Sequence, residues 1–405
     1  MSYLTVVGVI LILMALTIYV VIFGQAPFHR NGCIGALNRF LTDGLWRRLA
    51  AVCQRVPVLR CCWTRVMRVA DYAMNQKNPL VQLFYLGLII PGWAYGLSST
   101  YKFFPDVAAI SVAWWWSFHA VGAATLLAFA KASFSDPGFV TPANEARYNA
   151  VWPRDGALYA RRKACTECRV EVRPARSKHC GLCHHCVSKL DHHCPWINNC
   201  VGELNMRWFL LFLLMSAVFC LHGAWLLTGV LYGYCDKTGL LSPDLRYRTA
   251  RNGPLLPASF ALRLALLLRD TGLLAPLALF ALLMGLVLVG FTAFQLYHVL
   301  RNTTTAETYK ISDLVYIAEM SARLKDKKAP TTPEEEDFRQ YVRYKDLPAV
   351  QLPYKHAYSH GAWRNFLEMA FPPFYYSKVK VASTGSAKKS AAPSVAPAAR
   401  KSKKH

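Results

Sequence analysis

Five stretches of this chain contain no Asp, Glu, Lys or Arg and are each long enough to cross a bilayer: Met1–Phe28, Asn78–Tyr101, Val107–Ala130, Trp208–Tyr234 and Thr271–Leu300. A spanning helix needs about 20 mainly apolar residues, because the hydrocarbon core is thick and a helix satisfies its own backbone polar groups. A soluble core can bury one such helix. Five in one chain predict a polytopic α-helical membrane protein, a helical bundle of about five transmembrane spans. Composition agrees: 54% of residues are apolar, against about 45–50% in ordinary soluble domains. The first stretch lacks the basic leading region of a signal peptide. Its apolar core, Leu4–Phe23, also exceeds the roughly 7–15 residues usual there. It reads as a retained anchor, although "GQA" at 24–26 has the form of a small-residue cleavage site.

The formal charge is +24. Between spans, such an excess reads as the positive-inside rule rather than as nucleic-acid binding. Residues 29–77 carry Arg30, Arg39, Arg47, Arg48, Arg55, Arg60, Arg65, Arg68 and Lys77 against Asp43 and Asp71, which predicts a basic cytosolic loop. The anchor 1–28 then begins on the luminal side. The short "YKFFPD" makes 78–131 a transmembrane hairpin that returns the chain to the cytosol. A cytosolic domain follows over 132–207, then a span (208–234), a luminal loop (235–270) and a last span (271–300). Residues 301–380 are expected to be cytosolic, and 381–405 a disordered basic tail. The luminal loop carries five arginines, against the rule. Part of it, "ASFALRLALLL", is expected to be a helix lying on the membrane surface.

Thirteen cysteines occur, and seven of them fall within 165–200. On a cytosolic face, disulfides are rare and such a cluster binds metal or does chemistry. Cys165-x-x-Cys168 and Cys180-x-x-Cys183 are zinc-knuckle spacings, and a structural zinc takes four Cys or His ligands. Two ions need eight ligands, whereas seven cysteines and five histidines (His179, His184, His185, His192, His193) are present. Spacing alone leaves the assignment open. A spare cysteine next to a histidine and an aspartate is also the arrangement for nucleophilic catalysis.

From Cys165 to about Phe212 the chain resembles the cysteine-rich domain of the DHHC family of protein S-acyltransferases (palmitoyltransferases). The resemblance is carried by "RPARSKHC", "CVSKLDHHCPW" and "NNCVGELNMRWF". Three outlying motifs agree. Asp136, Pro137 and Gly138 form "DPG" before the domain. Thr304, Thr305 and Glu307 match a TTxE motif after the last span. Asn365 and Phe366 in "GAWRNF" sit where the family has an aromatic, Asn-containing motif. The resemblance implies two interleaved structural Zn2+ sites, Cys165/Cys168/His179/Cys186 and Cys180/Cys183/His193/Cys200, in a cytosolic double-zinc domain. It implies that Cys194 is the nucleophile, His192 its base and Asp191 the group orienting His192. An extra residue between Cys168 and His179 is expected to be absorbed around Val170–Pro174. Thr304, Thr305, Glu307 and Asn365 are expected to tie the end of the last helix to the zinc domain.

The activity so implied is transfer of a long-chain acyl group from acyl-CoA to cysteine thiols of membrane-associated proteins, through a thioester on Cys194. The bilayer is itself a partner, since the acyl chain needs an apolar cavity between the helices. Arg207 and Arg301 are candidates to meet CoA phosphates. Nucleic acid is not expected, because spans flank the zinc segment. Coupled transport is disfavoured, because His119, His222 and His298 are the only ionisable imidazoles in the spans. The alternative within the family is an inactive zinc-domain scaffold. Cys33, Cys53, Cys61 and Cys62 are further possible acylation sites. "NTT" at 302–304 is a glycosylation sequon on a cytosolic segment. The ending "KSKKH", with Lys401 and Lys403, has the KxKxx form of a retrieval signal and predicts the endoplasmic reticulum, with the Golgi as the alternative. The run "PEEED" reads as a solvated surface.

Overall fold

A computed structural model of the chain describes residue 20 and residues 32–55, 57–103, 111–156, 158–159, 161–248, 253–324 and 357–373. The first hydrophobic stretch (save Val20), the "PEEED" run and the tail with Lys401 and Lys403 lie outside the described residues. Among the described residues, four helices are long and apolar enough to cross a membrane.

The chain enters through three short helices, α1 (Cys33–Arg39), α2 (Leu45–Arg55) and α3 (Pro57–Asn75), with a π-helical turn, Phe40–Gly44, after α1. The basic segment between the first two apolar stretches is largely helical over its described residues. Helices α4 (Leu80–Phe103) and α5 (Val112–Phe134) follow. Their 24 and 23 residues give lengths of about 35 Å at 1.5 Å per residue, enough to cross. The zinc-ligand segment follows, introduced by α6 (Glu145–Val151). The long helix α7 (Met206–Lys237) and α9 (Leu274–Leu300) complete the bundle.

Helix α7 packs against α5 on one side and α9 on the other. Small residues permit the close approach, as is usual where lipid supplies no hydrophobic drive between helices. A Cβ on Gly285 of α9 would stand 2.6 Å from Leu221 Cδ2 of α7, and one on Gly122 of α5 would stand 2.9 Å from the Phe219 ring of α7. Thr125, fully buried in α5, donates its hydroxyl across to the Met215 carbonyl of α7 at 3.1 Å.

Between α7 and α9 the chain forms a hairpin, β6 (Arg246–Arg248) with β7 (Leu255–Pro257), and then α8 (Phe260–Thr271). Ser259 caps α8 by accepting the Leu262 N–H. Arg263, one of the arginines that broke the charge rule, donates to the carbonyls of Leu240 and Ser242 at 2.6 and 2.7 Å. It satisfies loop backbone. After α9 the chain turns directly into α10 (Thr305–Leu324), and α11 (Ala362–Ala370) returns to pack on the ends of α9 and α7.

Candidate active site and metal centres

The Cys/His-rich segment is built from strands of two or three residues. β1 (Phe139–Val140), β3 (His185–Val187) and β2 (Lys178–Cys180) form one antiparallel sheet in that order. β4 (His192–Cys194) pairs with β5 (Asn199–Val201) in a hairpin. Each metal set combines one Cys-x-x-Cys knuckle with one directly opposed cross-strand pair. His179 faces Cys186 across β2–β3 and joins Cys165 and Cys168. His193 faces Cys200 across β4–β5 and joins Cys180 and Cys183. In both knuckles the residue after the second cysteine, Arg169 or His184, takes a left-handed φ of 54°, which turns the chain back over the ligands.

The ligand atoms of each set lie within 4.8 Å of one another. His179 Nδ1 is 3.5, 3.4 and 3.8 Å from the sulfurs of Cys165, Cys168 and Cys186. His193 Nδ1 is 3.8, 3.4 and 3.6 Å from those of Cys180, Cys183 and Cys200. A tetrahedron with Zn–S about 2.3 Å and Zn–N about 2.0 Å has edges of roughly 3.5–3.8 Å. Three thiolates and one imidazole at that spacing fit one Zn2+ each. Four protein ligands leave no position for a catalytic water, so the ions are structural and contribute folding energy. The other ring nitrogen of His179 lies 3.0 Å from the Glu167 carboxylate, which orients the ring.

Cys194 belongs to neither set. Successive residues of a strand point to opposite faces, so His193 turns to its sulfurs while His192 and Cys194 share the other face of β4. His192 Nδ1 donates to Asp191 Oδ2 at 2.7 Å. The Asp191 side chain is fully buried, and His192 is about a quarter exposed. Burial opposes charge on His192, but its bond to Asp191 and the neighbouring Cys194 sulfur outweigh it and push its pKa up to about 9. Burial also opposes charge on Asp191. The bonds from His192 and Thr305 prevail and hold its carboxyl below the usual range. Cys194 is buried in an apolar cluster with Ala128, Phe129 and Ala132 of α5 and Phe209, Phe212 and Leu213 of α7. The thiol thus sits at the ends of two spans.

The outlying motifs converge on this site. In "DPG", Asp136 Oδ1 accepts the N–H groups of Gly138 and Phe139 at 2.8 and 2.9 Å. Gly138 takes φ +103°, a conformation that favours glycine, and its carbonyl accepts the Ser188 N–H. The Pro137 carbonyl accepts from Leu204. Thr304 and Glu307 form a capping box at α10: Glu307 N–H donates to Thr304 Oγ1, and Thr304 N–H to Glu307 Oε2. Thr305 reaches Asp191. Asn365 donates to the Leu300 carbonyl at 2.8 Å, satisfying one of the open carbonyls at the end of α9. Val170 pairs with Cys165 and is buried, which closes the first knuckle.

Sequence reasoning missed the group that joins these parts. Arg176, buried, donates to both carboxylate oxygens of Glu307 at 2.7 Å and to Asn302 through its side-chain and backbone oxygens. It lies over the rings of Trp152 and Tyr358 at 4.8 and 4.7 Å. Tyr159 also donates to Glu307. Asn302, the sequon asparagine, is buried with φ +50°, and its amide donates to Tyr358 O and to Glu368. Glu368 in turn accepts from Lys189 at 2.9 Å. That burial removes Asn302 from any glycan chemistry. Arg207 donates to the Ala370 carbonyl of α11 and lies over Trp208, and Arg301 contacts Tyr297. Both side chains therefore have structural partners.

The model of the DHHC palmitoyltransferase family matches residues 158–312. The palmitoyltransferase swf1 of Schizosaccharomyces pombe is 31% identical over 308 residues, 75% of this chain and 79% of that protein. The palmitoyltransferase ZDHHC4 of Bos taurus is 26% identical over 355 residues, 84% of this chain and 91% of that protein. The palmitoyltransferase Hip14 of Drosophila melanogaster is 40% identical over 119 residues, 29% of this chain and 18% of that protein. Similarity of that extent covers the spans as well as the metal sites, and this chain belongs to the DHHC palmitoyltransferase family, as a membrane-embedded protein S-palmitoyltransferase.

Proposed function

We propose that Cys194 carries the acyl group, with His192 as its proton acceptor and Asp191 as the group that orients His192. The carrying observation is that the Asp191–His192 pair stands on the same face as a thiol buried against the ends of α5 and α7. Asp191 holds Nδ1, so Nε2 of His192 is the nitrogen that takes the thiol proton. The Cys194 sulfur attacks the thioester carbon of palmitoyl-CoA. The bond from that carbon to the CoA sulfur breaks, and CoA leaves with the proton from His192. A substrate thiol then gives its proton to His192 and attacks the same carbon. The bond to Cys194 breaks, and Cys194 recovers the proton. One thioester is exchanged for another at each step. Burial of the palmitoyl chain is worth on the order of 10 kcal/mol at ~0.8 kcal/mol per methylene, which suits a thiol at the head of a helical bundle.

The zinc segment and the C-terminal region face the cytosol, as the basic residues of 29–77 support. The substrates are then membrane-associated proteins with cytosolic cysteines near the bilayer. Purified Cys194→Ser protein tests the central assignment. It should lose hydroxylamine-sensitive palmitoyl labelling and keep two zinc ions. Full labelling of that variant would place the acyl group elsewhere.

A further inference from the structure

The helices between Cys33 and Asn75 take no part in the site, and their faces are sharply divided. On α3, Leu59, Cys62, Trp63, Val66, Met67, Val69, Ala70 and Ala73 form one continuous arc at 3.6 residues per turn. Arg60 borders this arc on one side and Arg65 on the other, with Cys61, Thr64, Arg68, Asp71, Tyr72 and Asn75 between them. Helix α2 repeats the division, with Leu45, Leu49, Val52 and Cys53 on one face and Arg47, Arg48, Gln54 and Arg55 on the other.

Among the described residues, little covers the apolar faces. Val66 is 59% exposed and Val69 61%, and Leu45, Leu49, Val52, Leu59 and Cys62 are exposed too. Scattered apolar residues on a surface need no partner, but two adjoining helical faces do. The composition says which. Residues 33–75 carry seven arginines against two aspartates and no lysine or glutamate. Arginines at both borders of an apolar arc can bury their stems beside it and keep their charge at headgroup level. The segment ends at Asn75, and span α4 begins at Leu80, so it cannot stand far from the bilayer.

We propose that α2 and α3 form an amphipathic element that lies in the membrane surface and binds anionic phospholipid. This goes beyond the catalytic reading and shares no residue with it. An acidic lipid surface supplies negative charge to the arginines at both borders of the arc at the same depth as the apolar face.

Cys61 and Cys62 are adjacent reporters, one on each face. Full-length protein, freed of any thioester by neutral hydroxylamine, would be placed in nanodiscs of phosphatidylcholine alone or with about 30% phosphatidylserine. Both bilayer surfaces then carry the same lipid, so the result does not depend on which side the segment occupies. A brief pulse of a charged maleimide, with fragmentation mass spectrometry of the peptide, gives the rate at each cysteine. In anionic discs Cys62 should react about tenfold more slowly than Cys61. The difference should shrink several-fold in phosphatidylcholine alone, and likewise in a variant with Arg60, Arg65 and Arg68 changed to Gln. Equal rates at the two cysteines in anionic discs would overturn the proposal. So would protection of Cys62 that ignores lipid charge, since protein would then be covering the face. The wild-type comparison between lipids stands even if the triple variant fails to fold.

Discussion

Thr305 holds the Asp191 carboxylate at both oxygens: its backbone N–H donates to Oδ1 at 2.6 Å and its hydroxyl to Oδ2 at 3.0 Å. Oδ2 is also the atom that receives His192. The first residue after the last span's turn is therefore in direct contact with the proposed catalytic pair, across 114 residues of sequence.

Thr305→Val removes the hydroxyl bond and leaves the backbone bond. A hydrogen bond to a charged group contributes about 1.5–3 kcal/mol, and ~1.4 kcal/mol is tenfold in rate. Acyl-enzyme formation should slow about tenfold or more, with zinc content unchanged. Rapid-quench measurement of CoA release, beside metal analysis of the same sample, checks this. An unchanged rate would mean that Asp191 needs no second support.

The two adjacent histidines should fail differently. His193→Ala takes a nitrogen from a four-ligand set and should release one zinc and lower the yield of folded protein. His192→Ala leaves both sets whole. It should keep two zinc ions while losing about 10²–10⁴-fold in rate, the usual span for a general base. Equal zinc loss in both variants would contradict the division of faces on β4.

The spans were legible because absence of charge over 20-odd residues is a one-dimensional signal. The cysteine knuckles were legible for the same reason: their ligands are close in sequence. Which adjacent histidine meets metal was not readable from pattern alone. Strands β4 and β5 have three residues each, too few to show a period of two. The Arg176 cluster was invisible for another reason. Its partners Glu307 and Asn302 lie 131 and 126 residues away, and a buried arginine looks in sequence like any other basic residue of a cytosolic loop. In helices α2 and α3 the positive-inside excess and the polar side of a helical face are carried by the same arginines, so a charge count does not separate the two.

Arg176 and Glu307 are a buried ion pair, with side chains 0% and 2% exposed. Removing one member of such a pair leaves an uncompensated charge and costs about 3–5 kcal/mol. Glu307→Gln should lower the thermal midpoint in detergent by several degrees and slow acylation through displacement of Thr304 and Thr305. Adding Arg176→Met to it should recover part of the stability, since no charge is then stranded. A double variant as unstable as the sum of the two singles would rule out direct coupling.

Gly202 and Gly181 offer a matched pair within the zinc segment. A Cβ on Gly202 would stand 2.5 Å from the Pro137 carbonyl oxygen and 2.6 Å from Val187 Cγ1, whereas one on Gly181 would meet nothing within 4 Å. The first of these neighbours is backbone of the "DPG" turn, which is held by Asp136 and by Leu204 and cannot swing aside. Overpacking of this kind costs about 1–3 kcal/mol. Gly202→Ala should therefore reduce folded yield and loosen the turn against β3, and Gly181→Ala should match wild type. Fluorescence-detected size-exclusion profiles and zinc content of the two variants, measured together, separate the outcomes. A monodisperse, fully metallated Gly202→Ala protein would show that the turn can yield by several tenths of an ångström, and that the contact between Pro137 and Gly202 does not hold the zinc segment to the end of α5.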